Sequence, residues 1–177
     1  MEKGLILTTP AVTLQGGWAN LTEQYFIPGL QRGYGMSYRI TETCNGCGAC
    51  VKLCPVGAIT GEKKNLHLID SLLCIKCGAC GRICPTEAVK DSFGIVCERI
   101  KRSAWEKPQF YLKTCMPCGI CIETCPVNCL APAEPVSGRE PHSYPFLKED
   151  KRCIGCGFCA SECPVNSIRM SPPSLTD

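Results

Sequence analysis

The sequence predicts an α+β chain: two small tandem domains of short hairpin strands and short helices, gathered around bound metal and preceded by an N-terminal extension. Three observations predict it. Four copies of one pattern, C-x2-C-x2-C-x3-C-P, begin at Cys44, Cys74, Cys115 and Cys153. Short alternating segments precede three of them: Ser37-Tyr38-Arg39-Ile40-Thr41, Asn65-Leu66-His67-Leu68-Ile69 and Gln109-Phe110-Tyr111-Leu112-Lys113 read as strands with every second side chain turned inward. Only 45% of the 177 residues are apolar, too few for a generous core in each half, so metal binding is expected to supply much of the folding free energy and the metal-free chain to be largely unfolded.

Composition narrows the class further. Eighteen cysteines mean a disulfide scaffold, a metal protein or an iron–sulfur protein. Met1-Glu2-Lys3 is followed only by Leu5-Ile6-Leu7 before Thr8-Thr9-Pro10, too short an apolar run for an export signal, and no twin-arginine pair opens the chain. The expected compartment is therefore a reducing cytoplasm, where thiols stay available as ligands. No apolar run approaches the roughly 20 residues that span a bilayer, so no direct membrane insertion is expected. The formal charge of +3 counts every cysteine as neutral. Four oxidised cubanes held by thiolates would bring it to roughly −5, and nucleic acid is not an expected partner.

Taken in order, residues 1–35 form a cysteine-free arm in which Trp18, Leu21 and Tyr25, with Phe26 beside them, fall on one face of a short helix. The arm either wraps its own domain or docks on another subunit. Residues 36–94 form the first domain. Its helices are expected to start at the prolines after the fourth cysteines, Pro55 and Pro85, because Pro suits a first helical turn. Residues 95–108 form a linker in which Val96, Ile100 and Ala104 suggest a short amphipathic helix with a basic outer face. The second domain, residues 109–172, contains a longer internal gap with Pro132, Pro135, Gly138, Pro141 and Pro145, expected to be a rigid irregular loop. Residues 173–177 read as a tail.

The cysteine spacing is that of bacterial 4Fe-4S ligand runs. Three cysteines at x2 intervals wrap a loop around one cubane, and Gly48, Gly78, Gly119 and Gly157 occupy one slot where the backbone must approach closely. The fourth cysteine cannot easily close on its own cubane and in two-cluster ferredoxins ligates the other. The expected sets are Cys44, Cys47, Cys50 and Cys84 (set I); Cys74, Cys77, Cys80 and Cys54 (set II); Cys115, Cys118, Cys121 and Cys163 (set III); and Cys153, Cys156, Cys159 and Cys125 (set IV). Pairing the first motif with the fourth and the second with the third is the competing arrangement. Structural zinc more typically uses two separated C-x2-C pairs than a four-cysteine run ending in Pro. Cys97 and Cys129 lie outside the motifs. Cys129 holds the place of Ala58, Ala88 and Ser167 in the other copies, so it reads as a small packing residue, and Cys97 as a buried thiol.

Residues 36–172 resemble two tandem bacterial-type ferredoxin domains, a polyferredoxin. The resemblance implies four 4Fe-4S clusters, one-electron transfer and no substrate site, so the chain is not expected to be an enzyme by itself. The size, the four-set layout and the cysteine-free arm are also similar to the small electron-transfer subunit accompanying tungsten-pterin enzymes of the aldehyde oxidoreductase family, including related benzoyl-CoA reductase complexes. That likeness implies an anaerobic oxidoreductase complex, with a larger redox catalytic subunit as partner, docked in part through residues 1–35. Further electron-transfer subunits or self-association stay open, as does a freely diffusing carrier.

No catalytic constellation competes. His67 and His142 are the only histidines, neither with a patterned partner, and no glycine-rich nucleotide loop is present. Differences among the copies bear on potential instead. Pro117 lacks an N–H for a cluster sulfur, so set III is expected to have the lowest potential, whereas Lys76 beside Cys77 is expected to have a small effect.

Overall fold

The computed structural model describes residues 37–134 and 143–173. The N-terminal arm with Trp18, Leu21, Tyr25 and Phe26, together with His142 and residues 174–177 of the tail, lies outside them. In the first half, strand β1 (Arg39–Ile40) is followed by helix α1 (Ala49–Leu53), strands β2 (Ile59–Thr60) and β3 (Leu68–Ile69), helix α2 (Ala79–Ile83) and strand β4 (Val89–Lys90). The second half repeats the order with β5 (Lys107–Phe110), α3 (Ile120–Glu123), β6 (Leu130–Pro132), β7 (Pro145–Leu147), α4 (Phe158–Ser161) and β8 (Ile168–Ser171). Within each half the inner strands pair antiparallel and the first strand returns to pair with the last. Ile59 thus faces Ile69 and Ile40 faces Val89; likewise Leu130 faces Leu147 and Phe110 faces Ile168. Elements of two to five residues are too short to be stable alone.

The helices begin earlier than the prolines suggested. Each starts after the third-motif glycine, with Gly48, Gly78, Gly119 and Gly157 in left-handed conformation at φ between 72° and 81°. Each carries the third cysteine of its motif, and the first two run up to the fourth cysteine. Cys54 and Cys84 then turn extended, at ψ 115° and 118°, because the ring of a following Pro disfavours helical geometry in the residue before it. Proline here ends the helix.

Two other expectations change. The linker forms no amphipathic helix: its one helical piece is a 3-10 turn at Arg102–Ala104, Val96 bridges to Lys90 as a strand residue, and Ile100 is exposed. The apolar spacing was real, but the residue that is buried is Trp105. The proline-rich insertion also contributes paired structure, since Pro132 and Pro145 are register partners in the β6–β7 ladder. A two-stranded ladder is all edge, where Pro is tolerated. Residues 135–142 of that insertion lie outside the described residues. Strand β5 likewise starts at Lys107, two residues before the segment expected, and Tyr111 already belongs to the turn entering the third motif.

About half of the buried apolar side chains are cysteines. One core joins α1, α2 and β4 through Cys50, Ile59, Cys80, Cys84, Ala88 and Val89, and its counterpart joins Cys121, Cys125, Cys129, Leu130, Cys153, Cys159 and Ile168. A third, smaller core of Ala79, Trp105 and Ile154 lies between the halves. Trp105 is 1% exposed, its indole N–H donates to the Ile100 carbonyl at 3.0 Å, and the guanidinium groups of Arg82 and Arg102 lie 5.0 and 5.3 Å from its ring centre. The former linker is thus the wedge on which both halves pack. Truncation of Trp105 to Ala is expected to cost about 3–5 kcal/mol, the usual loss for a fully buried large aromatic. Thermal unfolding of the iron-loaded protein should show a midpoint lowered by several degrees, and an unchanged midpoint would contradict the wedge.

Candidate iron–sulfur sites

Each cysteine motif contains the same parts: a loop, a left-handed glycine and a single helical turn bearing the third cysteine, followed in the first two motifs by an extended fourth cysteine before Pro. The loop and turn direct three thiols to one side, and the fourth cysteine leaves in the other direction. Consequently Cys44, Cys47, Cys50 and Cys84 line one cavity with Ile40, His67 and Val89. Cys54, Cys74, Cys77 and Cys80 line a second with Tyr38, Ile59 and Ile69, and Cys125, Cys153, Cys156 and Cys159 a third with Leu130, Ile154 and Met170. The remaining thiols also come together: burial, then Cys163 and Cys118, push the Cys115 thiol up, while burial and the same group of neighbours raise Cys121. The members of each set expected from sequential pairing thus lie near one another.

The donor set fits a cubane. Among the described residues no three His, Cys, Asp or Glu side chains converge closely enough to hold a single metal ion; the thiols ring a space instead. Two of them are also ill suited to stand alone as anions. Burial, followed by the thiols of Cys77 and Cys74, pushes Cys80 up to about 12, and burial with Cys156 and Cys153 does the same to Cys159. Such thiols become thiolates only when positive charge arrives with the metal, so loading must release protons.

Backbone amides are already aimed at the sulfurs. The residue four places after each fourth cysteine donates its N–H to that cysteine: Ala58 to Cys54 at 3.3 Å, Ala88 to Cys84 at 3.3 Å, Cys129 to Cys125 at 3.4 Å and Ser167 to Cys163 at 3.2 Å. All four donors are at most 2% exposed, which explains why the position takes only small side chains. Sequence comparison of the copies showed the size restriction but not the hydrogen bond behind it. A second recurring donor lies two residues after a first cysteine, where Gly46 donates to Cys44 at 3.4 Å and Gly155 to Cys153.

That second position has φ of 65° at Gly46, 59° at Lys76 and 62° at Gly155. Pro117, at the equivalent place, has neither the N–H nor access to positive φ, and its loop closes differently, with Cys118 N–H donating to the Met116 carbonyl at 2.6 Å. Set III therefore lacks a donor that sets I and IV have. Replacing Pro117 with Gly is expected to raise the potential of one cluster by about 20–60 mV, the equivalent of one modest hydrogen bond for a one-electron couple. Redox titration followed by electron paramagnetic resonance reads this, and four unmoved potentials would count against it.

The two cysteines outside the motifs differ in role. Cys97 packs against Gly81, where an added Cβ would fall 2.5 Å from its own Cβ, and burial raises its thiol. Cys129 is buried with its sulfur 3.4 Å from that of Cys125, and the nearness of Cys153, together with burial, pushes the Cys129 thiol up while Cys153 is lowered. It is thus more than a packing residue: it is placed to donate S–H to Cys125 of set IV. The Cys129→Ala variant should keep its iron and its fold, because Ala serves at the same place in the first half, and should lower one potential by about 20–60 mV. An unchanged set of potentials would show that the thiol only fills space. His67 is buried, with Nδ1 3.1 Å from the Asn65 carbonyl and 3.8 Å from Cys44 Sγ, a hydrogen-bonded wall of its cavity.

The sets are not arranged in the order of the chain. Thiols of I and II share the first core, those of III and IV share the second, and Cys77 of II meets Cys156 of IV beside Trp105. The spatial order is I, II, IV, III. Cys47 of set I and Cys118 of set III are the only exposed members of the sets.

Residues 36–89 match the family described as 4Fe-4S dicluster domain, and residues 114–167 match a second family of that description. The chain carries two tandem 4Fe-4S dicluster domains. Two such domains imply four 4Fe-4S clusters and an iron–sulfur electron-transfer role. A ferredoxin-like protein in the nif region of Nostoc sp. is 46% identical over 39 residues, a stretch covering 22% of this chain and 34% of that protein. The match thus spans about a third of the relative's length. Among solved structures, a chain of the formate dehydrogenase, heterodisulfide reductase and formylmethanofuran dehydrogenase complex from Methanospirillum hungatei aligns over 78% of this chain and 52% of its own length, at 23% identity and a TM-score of 0.39. No helix among the described residues is long and apolar enough to cross a membrane.

Proposed function

We propose that this protein is the electron-transfer subunit of a larger oxidoreductase, carrying electrons one at a time between two ends of its own chain. The sixteen motif cysteines are the ligands in this reading, with sets I to IV each holding one cluster. The observation that carries it is the continuous spatial order of the sets, with the exposed cysteines in the first and last of them. When bound, a 4Fe-4S cluster supplies a site that takes up and gives back one electron with little change in shape. The chain supplies the rest. Its cysteine loops fix the sites, its buried amides favour the extra negative charge of the reduced state, and its apolar walls, Ile59, Leu130 and Ile154 among them, keep water from the inner sets.

The partner is proposed to be a catalytic subunit of the tungsten-pterin aldehyde oxidoreductase family, docked in part through residues 1–35. The cysteine-free arm and doubled domain support a bound subunit over a freely diffusing carrier, and the cytoplasm is its proposed compartment. Anaerobic purification from native cells tests the reading as a whole. About sixteen irons and sixteen sulfides per chain are expected from four cubanes, together with a co-purifying redox enzyme that is lost when residues 1–35 are deleted. Zinc in place of iron would overturn the cofactor assignment, and a monomer reducing several unrelated enzymes without its arm would favour the free carrier.

A further inference from the structure

The inner sets II and IV belong to different halves, so their relative placement depends on whatever spans the junction. Most of that junction is apolar and non-directional: Ala79, Trp105 and Ile154, edged by Leu53, Ile83, Val127, Cys77 and Cys156. From α2, Arg82 crosses it with directional bonds, beside the linker's Arg102, whose Nη2 donates to the Lys151 carbonyl at 2.8 Å. Arg82, the fourth residue of α2, donates from Nη2 to the Cys77 carbonyl at 3.0 Å and from Nη1 to the Gly155 carbonyl at 2.8 Å. Both carbonyls belong to cysteine loops, Cys77 being itself a member of set II and Gly155 lying immediately before Cys156 of set IV. The guanidinium carbon lies over the Trp105 ring, 5.0 Å from its centre, while the Arg82 backbone carbonyl accepts the Ile100 N–H at 3.0 Å. Three chain segments, the Cys77 loop, the Ile100–Trp105 linker and the Gly155 loop, therefore converge on one residue.

The opposite face of this contact is shaped to match. Gly155 has φ 62°, and a Cβ there would lie 2.9 Å from the Glu106 carbonyl and 3.2 Å from Arg82 Nη1. At the corresponding helix positions of the other copies stand Lys52, Glu123 and Ser161, none of which is a planar, doubly donating group. Only an arginine can send two N–H groups in different directions from one rigid plane while stacking on an indole.

We infer that Arg82 is a positioning residue for electron transfer between the two halves: its fork ties the set II loop to the set IV loop and fixes their separation. The inference rests on the proposed relay through four clusters. Electron crossing at this junction makes and breaks no covalent bond, one electron lost on one side being gained on the other, so a change in separation is felt directly as weaker communication across it.

The test uses the full-length, iron-loaded protein, fully reduced with dithionite and read by electron paramagnetic resonance. In the native protein the signal should be broadened by interaction across the junction as well as within each half. In Arg82→Ala, at about sixteen irons per chain, the broadening should diminish towards that of two separate pairs, with slower spin relaxation. A spectrum superimposable on the native one would overturn the inference. Arg82→Lys keeps the cation but loses the rigid fork. Intermediate broadening supports the tie and superposition refutes it, and this variant decides the matter if the alanine protein fails to take up iron. Native protein with far fewer than sixteen irons is a different failure, that of the relay reading itself.

Discussion

The exchange of the fourth cysteine between neighbouring motifs is the constraint on which the rest of the molecule depends. Cys54 leaves the loop of Cys44, Cys47 and Cys50 to join Cys74, Cys77 and Cys80, and Cys84 makes the reverse crossing. Neither thiol set can be assembled before both loops are in place. The secondary structure is what the crossing requires: a helical turn to deliver the third thiol, then an abrupt extended residue to carry the fourth away. Four- and five-residue helices and two-residue strands have no independent stability, so local structure here follows from the metal-ligand geometry.

The same constraint explains the unusual interior. Where an ordinary domain of this size would bury Leu and Phe, this one buries cysteine and alanine, and large apolar side chains such as Leu72 and Phe93 are exposed. Small residues after the fourth cysteines let backbone amides reach the sulfurs, so those positions serve electrostatics and packing at once. Leu or Phe at Ala88 or Ser167 would push the amide away from its sulfur.

Much of this was legible in the sequence because ligand chemistry is encoded locally. The spacing of Cys44, Cys47 and Cys50 indicates a loop, and the common glycine slot indicates its left-handed turn. What misled was regular reasoning applied to irregular segments. Pro55 and Pro85 resemble helix starts, but the residue before a proline is pushed extended, and that effect on Cys54 and Cys84 prevails. The spacing of Val96, Ile100 and Ala104 resembles a helix face, but the segment forms only a bridge at Val96 and a 3-10 turn at Arg102–Ala104, and its deep contact is made by Trp105. The role of Arg82 had no local signal at all: it depends on Gly155, 73 residues away, and no pattern within one motif can announce a contact between two.

The position of Cys47 and Cys118 has one more consequence. A sulfur site is attacked by oxygen or peroxide in proportion to its accessibility, and the thiols of sets II and IV are shielded by the strands, Trp105 and one another, whereas each outer set has one cysteine facing water. Exposure to air thus has a direction in this molecule. Damage is expected to start at the two outer sets, where Cys47 and Cys118 face water.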